Sequence, residues 1–131
     1  MYWPEKYQLG IVAEYLEKEG FEFMTESRLY SIPIDILGTN GKETVSVELK
    51  TKDFKRGIQQ AERNQTLVNY SYLSVWEEYA TEDLVSRIEQ CDIGLLSVSD
   101  QVKCLSTPNK NETSDHATSR INEYILRDVR K

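Results

Sequence analysis

SIPIDILGTNGKETVSVELKTKDFKRGIQQAERNQ, residues 31–65, is the stretch on which the predicted fold depends. Its first part, residues 32–38, is rich in β-branched side chains, and residues 44–50 alternate strictly between apolar and polar or charged positions. Both patterns are typical of β-strands. The pair Asn40-Gly41 lies between them, and an Asn-Gly pair between two apolar runs predicts a hairpin. We therefore expect two antiparallel strands joined at this pair.

A helix is predicted directly after the hairpin. Asp53 is expected to be its N-cap, and apolar side chains recur at helical spacing from Phe54 to about Val68. Working outward from the hairpin and this helix, the same criteria predict a helix at 4–19 and a strand at 21–25. Residues 26–30 form either a connection or an extension of this strand into a longer edge. The remaining predictions are a strand at 70–76, a helix at 81–90, strands at 92–98 and 102–105, and a helix at about 119–130. Strands linked by helical crossovers indicate an α/β fold with a mixed central β-sheet flanked by helices.

A chain of 131 residues is most simply one domain. Residues 1–106 are expected to form the α/β domain, and residues 107–118, which are almost free of apolar side chains, to form a polar flexible loop. The predicted helix in residues 119–131 either belongs to the same domain or serves as an interaction helix.

Length and charge patterns restrict the location and the partners. No apolar run approaches the roughly 20 residues that a membrane span needs, and the first residues lack a secretion signal, so a cytoplasmic protein without membrane contact is expected. The net charge of −6 argues against a general nucleic-acid-coating protein. One segment is locally basic, and its cationic residues are Lys50, Lys52, Lys55, Arg56 and Arg63.

Three residues in the hairpin carry the predicted chemistry. Asp35 stands between two isoleucines, where an unpaired carboxylate would cost several kcal/mol. Glu48 and Lys50 point to the same face of the next strand because side chains alternate along a strand. Adjacent strands lie about 4.8 Å apart, so Asp35 and Glu48 can share a hard cation such as Mg²⁺, with the carbonyl of Leu49 as a further ligand. Lys50 would orient or help to deprotonate an attacking water, or stabilise charge on a phosphoryl group.

The aromatic residues of the strand at 70–76 leave two interpretations open. Tyr70, Tyr72 and Trp76 share one face. They could stack on nucleic-acid bases, or they could form a buried aromatic face of the sheet.

The pattern Pro33-Ile34-Asp35 followed by Glu48-Leu49-Lys50, a helix and an aromatic strand resembles the PD-(D/E)XK nuclease superfamily, whose fold is called restriction-endonuclease-like. The small single-domain members are the most similar, and the resemblance runs from about Glu5 to Val98. The chain departs from the motif in one place, because Ile34 separates the proline from the acid.

The resemblance implies a role for each matching residue. Asp35 corresponds to the first acid, Glu48 to the second acid and Lys50 to the lysine. Many members add an acid from the first helix. On a helical wheel Glu5 falls within the apolar stripe whereas Glu14 points away, although Glu5 could instead cap a frayed helix end.

Some members also use a glutamine from the helix after the lysine. Gln60 is the preferred candidate, with Gln59 and Gln65 also available. The cations Lys52, Lys55 and Arg56 would contact a nucleic-acid backbone, or they form an ordinary solvated face.

By this resemblance the chain is expected to be a Mg²⁺-dependent nuclease that hydrolyses phosphodiester bonds in DNA, with Mn²⁺ as a substitute. Such enzymes often act as dimers so that two sites address two strands, and a homodimer is among the expectations. The alternative is a catalytically silent module of the same fold, used for protein or nucleic-acid binding. The acidic net charge favours that alternative.

Overall fold

A computed structural model describes residues 5–113 and 115–129 of the chain. Its helices are α1 (Glu5–Lys18), α2 (Phe54–Gln65), α3 (Glu82–Glu89) and α4 (Asp115–Val129), with a short 3₁₀ turn at Glu77–Tyr79. Its strands are β1 (Glu22–Leu29), β2 (Ile32–Thr39), β3 (Thr44–Lys50), β4 (Tyr70–Trp76), β5 (Gly94–Val98) and β6 (Val102–Ser106).

All six strands form one sheet in the order β1-β2-β3-β4-β5-β6. The inner strands β3, β4 and β5 are parallel, whereas β1, β2 and β6 join the sheet antiparallel to their neighbours. Helices α2 and α3 are the crossovers between the parallel strands, as such connections require. The predicted mixed α/β sheet with flanking helices is confirmed, and it is consistent with a nuclease-like fold of the restriction-endonuclease type.

Helices cover both faces of the sheet. Helix α1 packs on one face, where Val12 and Leu16 lie against Val47 and Leu49 of β3. On the other face, α2 and α3 pack on alternate residues of β4 and β5, and the buried members of this cluster are Ile58, Ala61, Leu73, Val75, Leu84, Ile88, Ile93 and Leu95. The strict alternation in β3 therefore sends Leu49 toward α1 and its neighbours Glu48 and Lys50 toward α2.

Of the two forms predicted for residues 26–30, strand β1 takes the longer one. Residues 26–29 continue the strand to Leu29. The turn that follows consists of Tyr30 and Ser31, whose φ angles are 51° and 69°. Two consecutive positive φ values are characteristic of the tight turn that matches strand twist, and this turn was missed because neither residue is a glycine or an asparagine.

The predicted Asn-Gly hairpin is present between β2 and β3. Its loop spans residues 40–43, and the Asn40 side chain accepts hydrogen bonds from the backbone N–H groups of Lys42 and Glu43 at 2.9 and 2.7 Å. Gly41 has φ +95°, a conformation that favours glycine. Local turn chemistry was sufficient to locate this hairpin.

The two predicted N-caps had different outcomes. Thr81 caps α3, since its side chain accepts a hydrogen bond from the Leu84 N–H at 3.2 Å. Asp53 precedes α2 but makes no side-chain cap, and its backbone is left-handed with φ 56°. The capping role predicted for Asp53 is therefore wrong, because its φ and ψ depart from the extended conformation of an N-cap.

Helix α4 begins at Asp115, earlier than the predicted residue 119, and it packs on β1 and β2. Ile121 and Ile125 are fully buried. Asn122 donates a hydrogen bond to the Gly41 carbonyl at 3.1 Å and accepts one from the Thr39 hydroxyl. The helix thereby supports the same hairpin that carries Asp35 and Glu48.

Before α4, the segment 107–113 is tied to the domain rather than free in solvent. Asn111 donates to the Gln65 carbonyl at 2.7 Å, and its own carbonyl accepts from Asn69 at 2.9 Å. Within residues 5–113 and 115–129, no helix has the length and apolar character to cross a membrane.

Candidate functional site

Asp35 and Glu48 meet where the pairing of β2 with β3 ends. The last paired residues on this side are Ile36 and Val47. Beyond them, side chains replace the backbone ladder. The Leu49 N–H donates to Asp35 Oδ2 at 2.9 Å, and the Asp35 N–H donates to Glu48 Oε2 at 3.1 Å. Each carboxylate thus holds the strand of the other, which fixes both acids at one point.

The position of Glu48 is costly for a negative charge. Its side chain is only 4% exposed. Burial raises the pKa of Glu48, and the hydrogen bond and the charge of the neighbouring Asp35 carboxyl raise it further, to about 7. A buried acid beside a second acid gains stability when a cation arrives, because the cation offsets both the desolvation and the repulsion.

Arg63 on α2 is the cation nearest to Glu48 among the described contacts. Its Nη2 lies 3.4 Å from Glu48 Oε1 and donates to the Pro33 carbonyl at 2.9 Å. The sequence marked Arg63 only as part of a basic segment. Its role depends on the packing of α2 over the hairpin, which no local pattern specifies.

Two polar side chains of α2 face the site without full pairing. Asn64 is completely buried and lowers the pKa of Glu48, yet its Nδ2 makes no hydrogen bond of ordinary geometry within the described chain. Gln60 Oε1 is also buried without a partner there. Gln60 and Asn64 are four residues apart on one helix, so they share a face. Unpaired buried polar atoms cost about 1–3 kcal/mol each, which favours a polar or ionic ligand at this place.

A signal for Asn64 existed in the sequence. Gly57, Ala61 and Asn64 recur at spacings of four and three residues, and all three are buried on the inner face of α2. An asparagine that continues a stripe of small residues faces the sheet, where its amide needs a polar partner.

Lys50 reaches the site beneath α2 because residue 57 is a glycine. A Cβ atom on Gly57 would lie 2.7 Å from Lys50 Cγ and 2.8 Å from Leu73 Cδ1. Both distances are shorter than side chains tolerate. The absence of a side chain at Gly57 therefore provides the space for the half-buried stem of Lys50.

The backbone of Lys50 is held from the opposite face. Gln8 of α1 is fully buried and donates to the Lys50 carbonyl at 3.3 Å. The Gln8 side chain also accepts a hydrogen bond from the Ser74 hydroxyl. A buried glutamine in the first helix was not singled out in the sequence, although its position four residues before Val12 places it on the buried face.

Glu5 lies at this same end of β3. The Glu5 side chain is exposed overall, but its carboxyl group is partly desolvated, and this desolvation is the main cause of its raised pKa. The charge of Lys50 lowers the pKa, the charge of Asp35 raises it, and a hydrogen bond with the Thr51 backbone lowers it. Glu5 therefore lies near Lys50 and Asp35, on the side of α1 that the helical wheel predicted. Glu14 is exposed and pairs with Lys18 at 3.4 Å instead.

The remaining predicted residues differ in their exposure. Lys52, Lys55 and Arg56 are exposed. Leu49 is buried, and its N–H is used by Asp35. In the part of the chain that the structure describes, no three His, Cys, Asp or Glu side chains are close enough together to form a metal cage.

The residues present nevertheless fit a hard divalent cation. Carboxylate oxygens are the ligands that Mg²⁺ and Mn²⁺ prefer, and Mg²⁺ commonly takes only one or two protein carboxylates, with water and phosphate completing its shell. Asp35 and Glu48 supply that pair. A bound cation would stabilise the charged form of Glu48, whose pKa is raised, and a water bound to the cation would give the unpartnered Gln60 oxygen a hydrogen bond.

Comparison with known proteins yields structural relatives only. No family model matches the sequence, and no curated protein is similar to it at a significant level. A protein of unknown function from Silicibacter pomeroyi is similar in structure, with a TM-score of 0.77 and 14% identity over 99% of this chain and 89% of the other. An XisH family protein from Nostoc punctiforme is similar with a TM-score of 0.54 and 14% identity over 72% of this chain and 94% of the other. At this identity, these similarities show a shared fold.

Proposed function

We propose that this chain is a metal-dependent nuclease of the PD-(D/E)XK type, hydrolysing phosphodiester bonds in DNA with Mg²⁺, or Mn²⁺ as a substitute. The observation that carries the proposal is the reciprocal bonding of Asp35 and Glu48, which places two acids together at a point where burial and the neighbouring Asp35 carboxyl raise the pKa of Glu48 to about 7. A structural ion pair would not need a second, half-buried acid, Asp35, beside the buried Glu48.

Asp35 and Glu48 are the residues that would hold the cation, and Glu5 would complete the ligand set directly or through water. The bound cation would supply Lewis-acid polarisation of a phosphate and a lower pKa for an attacking water. Leu49, which lies between Glu48 and Lys50 in the chain, would add its carbonyl oxygen.

Lys50 is the residue that we assign to the reacting groups. Its stem is confined between β3 and Gly57, so its ammonium group has few orientations to lose on substrate binding. A positive charge there would stabilise charge that develops on a phosphoryl group. Gln60 would orient the attacking water through its unpaired oxygen.

DNA binding would use the exposed cations next to the site. Lys52, Lys55 and Arg56 lie in the loop after β3 and the first turn of α2. Phosphate contacts from such residues position a duplex without reading its sequence. Cytoplasmic location and a homodimer addressing two strands belong to the same proposal, and the two free cysteines suit a reducing compartment.

Arg63 favours a second candidate, a catalytically silent module of the same fold. Its guanidinium lies 3.4 Å from Glu48 Oε1 and provides the acid with a permanent cation. If that pair persists in solution, the site would need no metal, and the chain would serve binding or assembly.

The test of the first candidate is a cleavage assay with purified protein on single-stranded, duplex and branched DNA and on RNA, with Mg²⁺ or Mn²⁺. We expect Asp35→Asn, Glu48→Gln and Lys50→Ala each to reduce the rate by about 10²-fold or more, the scale of a catalytic proton-transfer group. Asp100→Asn and Lys103→Ala are matched controls, because both residues are exposed near the β5–β6 turn, and they should leave the rate unchanged.

Calorimetric titration with Mn²⁺ separates the two candidates. A nuclease should bind the ion in a manner that Glu48→Gln abolishes, whereas the silent module should show no binding that depends on Asp35 or Glu48. Cleavage that survives in all three site variants would contradict the nuclease proposal.

A further inference from the structure

A pocket lies on the face of the sheet opposite to Asp35 and Glu48. In the register of β3 with β4, Tyr72 is paired with Val47, and Val47 packs against α1. Glu48, one residue later, faces α2. The pocket is lined from the C-terminal half of α1 and the start of β3, so both the sheet and the length of α1 separate it from the candidate nuclease site.

Aromatic rings form the wall of this pocket, which has a volume of about 100 Å³. The ring-bearing residues are Tyr15, Phe21, Tyr70 and Tyr72, and each is partly buried. The floor is aliphatic and consists of Leu16, Val45 and Leu96, which are at most 3% exposed. The aromatic face predicted for β4 is therefore packed beside α1, and its Tyr70 and Tyr72 rings line this pocket.

The phenol groups gather at the same place. Burial raises the pKa of Tyr72, and the nearby Cys104, Tyr15 and Tyr70 raise it further. The Tyr70 hydroxyl is fixed by a hydrogen bond to Glu43 at 2.8 Å. This hydrogen bond holds the Tyr70 ring in position without a ligand.

A carboxylate stands at the mouth of the pocket. Glu19 lines the cavity, is exposed, and lies close enough to Tyr15 and Tyr72 to raise the pKa of both hydroxyls. The residues that line the pocket include no lysine or arginine, and Lys110, whose charge acts on Tyr70, is bound to Glu43 at 3.1 Å. In the described part of the chain, cation–π contacts involve Tyr7 and Tyr30 and none of these four rings. The pocket thus combines electron-rich rings and a negative charge with no resident cation.

We propose that this pocket binds an organic cation, namely an alkylated ammonium group. Its methyl groups would contact the aromatic wall and the aliphatic floor, while its charge would be stabilised by the ring faces and by Glu19. A strongly hydrated metal ion is a poor ligand here, because the floor offers no oxygen donors. The volume admits a group of the size of trimethylammonium but excludes a nucleotide base with its sugar.

Choline is the probe that tests the proposal, with 3,3-dimethylbutan-1-ol as its uncharged isostere. Binding is followed by chemical shift changes in ¹⁵N-labelled protein, expected at Val45, Tyr70 and Leu96. We expect choline to bind with a dissociation constant on the order of 1 mM, and the isostere at least about tenfold more weakly, because it lacks the cation–π term. A peptide containing trimethyllysine forms a second arm, and tighter binding of the peptide than of choline would identify a protein as the source of the group.

Substitutions in the pocket measure how much each ring and the Glu19 charge contribute to choline binding. Tyr15→Leu should weaken choline binding about fivefold by removing a ring, and Glu19→Gln about threefold by removing a charge, whereas Tyr72→Phe should retain binding because the ring remains. Tyr124→Leu and Glu17→Gln are the matched controls, since both residues are exposed outside the pocket.

Thermal unfolding of each variant establishes that it is folded, and the exposed Glu19 provides a test even if Tyr15→Leu does not fold. Equal binding of choline and its uncharged isostere would overturn the proposal, as would the absence of shift changes at the pocket. Neither result depends on nuclease activity.

Discussion

Glu48 is an acid that the fold keeps away from water. Its carboxyl group is held between the Asp35 N–H and Arg63, and the backbone around it is almost fully enclosed. Proteins rarely bury an acid beside a second acid unless the pair serves a ligand or a proton. At the scale of single residues, this environment is the main reason to interpret the site as functional.

The raised pKa of Glu48 leads to a prediction on stability. The folded state binds a proton at this group with a pKa of about 7, against 4.5 for the ordinary value. Between these values the folded state holds more protons than the unfolded state, so the contribution of Glu48 to the free energy of unfolding falls as pH rises through this window. Below pH 4.5 Glu48 is protonated in both states and costs no stability, whereas above pH 7 the full cost of burying its charge is present.

Glu48→Gln removes this titration while keeping the shape of the side chain. We expect the variant to be more stable than the parent at pH 8, by up to about 3 kcal/mol, and equal to it near pH 4. Urea unfolding at several pH values measures the difference. Mn²⁺ at pH 8 should stabilise the parent and leave Glu48→Gln unaffected. A parent protein that gains stability relative to the variant between pH 5 and pH 7 would contradict the assignment.

At the scale of elements, the inner face of α2 shapes the site. Gly57, Ala61 and Asn64 are small or polar, and this allows the helix to lie close to β3 and β4. The Ser71 hydroxyl donates to the Ala61 carbonyl at 2.6 Å, which fixes the helix against β4. The periodicity of α2 predicted its existence, but the meaning of its small residues depends on what they face.

Gly57→Ala should therefore disturb the site through its neighbour Lys50. An alanine normally stabilises a helix by up to about 1 kcal/mol relative to glycine. Here the added Cβ would lie 2.7 Å from Lys50 Cγ, so we expect a net loss of about 1–3 kcal/mol, as for overpacked cores. The cleavage rate should fall further than the loss of folded protein explains, because the ammonium group of Lys50 is displaced.

Gly10→Ala is the matched control for this experiment. Gly10 also lies within a helix, and a Cβ there would meet nothing within 4 Å. It should stabilise the protein by about 0.5–1 kcal/mol and leave cleavage unchanged. Equal effects of the two substitutions on stability and rate would show that Gly57 has no special part in positioning Lys50.

At the scale of the whole molecule, α4 completes the support of the hairpin. The helix lies on β1 and β2 and bonds the loop between β2 and β3 through Asn122. Asn111, which precedes α4, donates to the Gln65 and Val68 carbonyls at the end of α2 and just after it, and its own carbonyl accepts from Asn69. The C-terminal part of the chain therefore stabilises the strands that carry the acids.

Ile125→Ala measures this contribution. Ile125 is fully buried in the cluster with Leu29, Ile34 and Leu37, so the substitution should lower the free energy of unfolding by about 2–5 kcal/mol. Tyr124→Ala is the control, because Tyr124 is 46% exposed, and it should change stability by less than about 0.5 kcal/mol. Denaturant unfolding followed by circular dichroism provides both values, and equal losses would mean that α4 does not pack as described.

The sequence by itself determined what depends on neighbours along the chain. Alternation in residues 44–50 places Glu48 and Lys50 on one face, the Asn40-Gly41 pair forms the predicted turn, and helical spacing locates α1 and α2 within a few residues. These features follow from local backbone geometry, for which period and turn chemistry suffice.

Only the tertiary structure decided which distant groups meet. Arg63, Asn64 and Gln8 reach β3 because helices pack on both faces of the sheet. The pocket lined by Tyr15, Phe21, Tyr70 and Tyr72 forms because the end of α1 leaves the aromatic edge of β4 partly uncovered. The left-handed backbone of Asp53 and the continuation of β1 to Leu29 likewise depend on the surrounding structure rather than on residue type. Contacts between residues far apart in sequence depend on the summed packing of the whole core, so no local pattern specifies them.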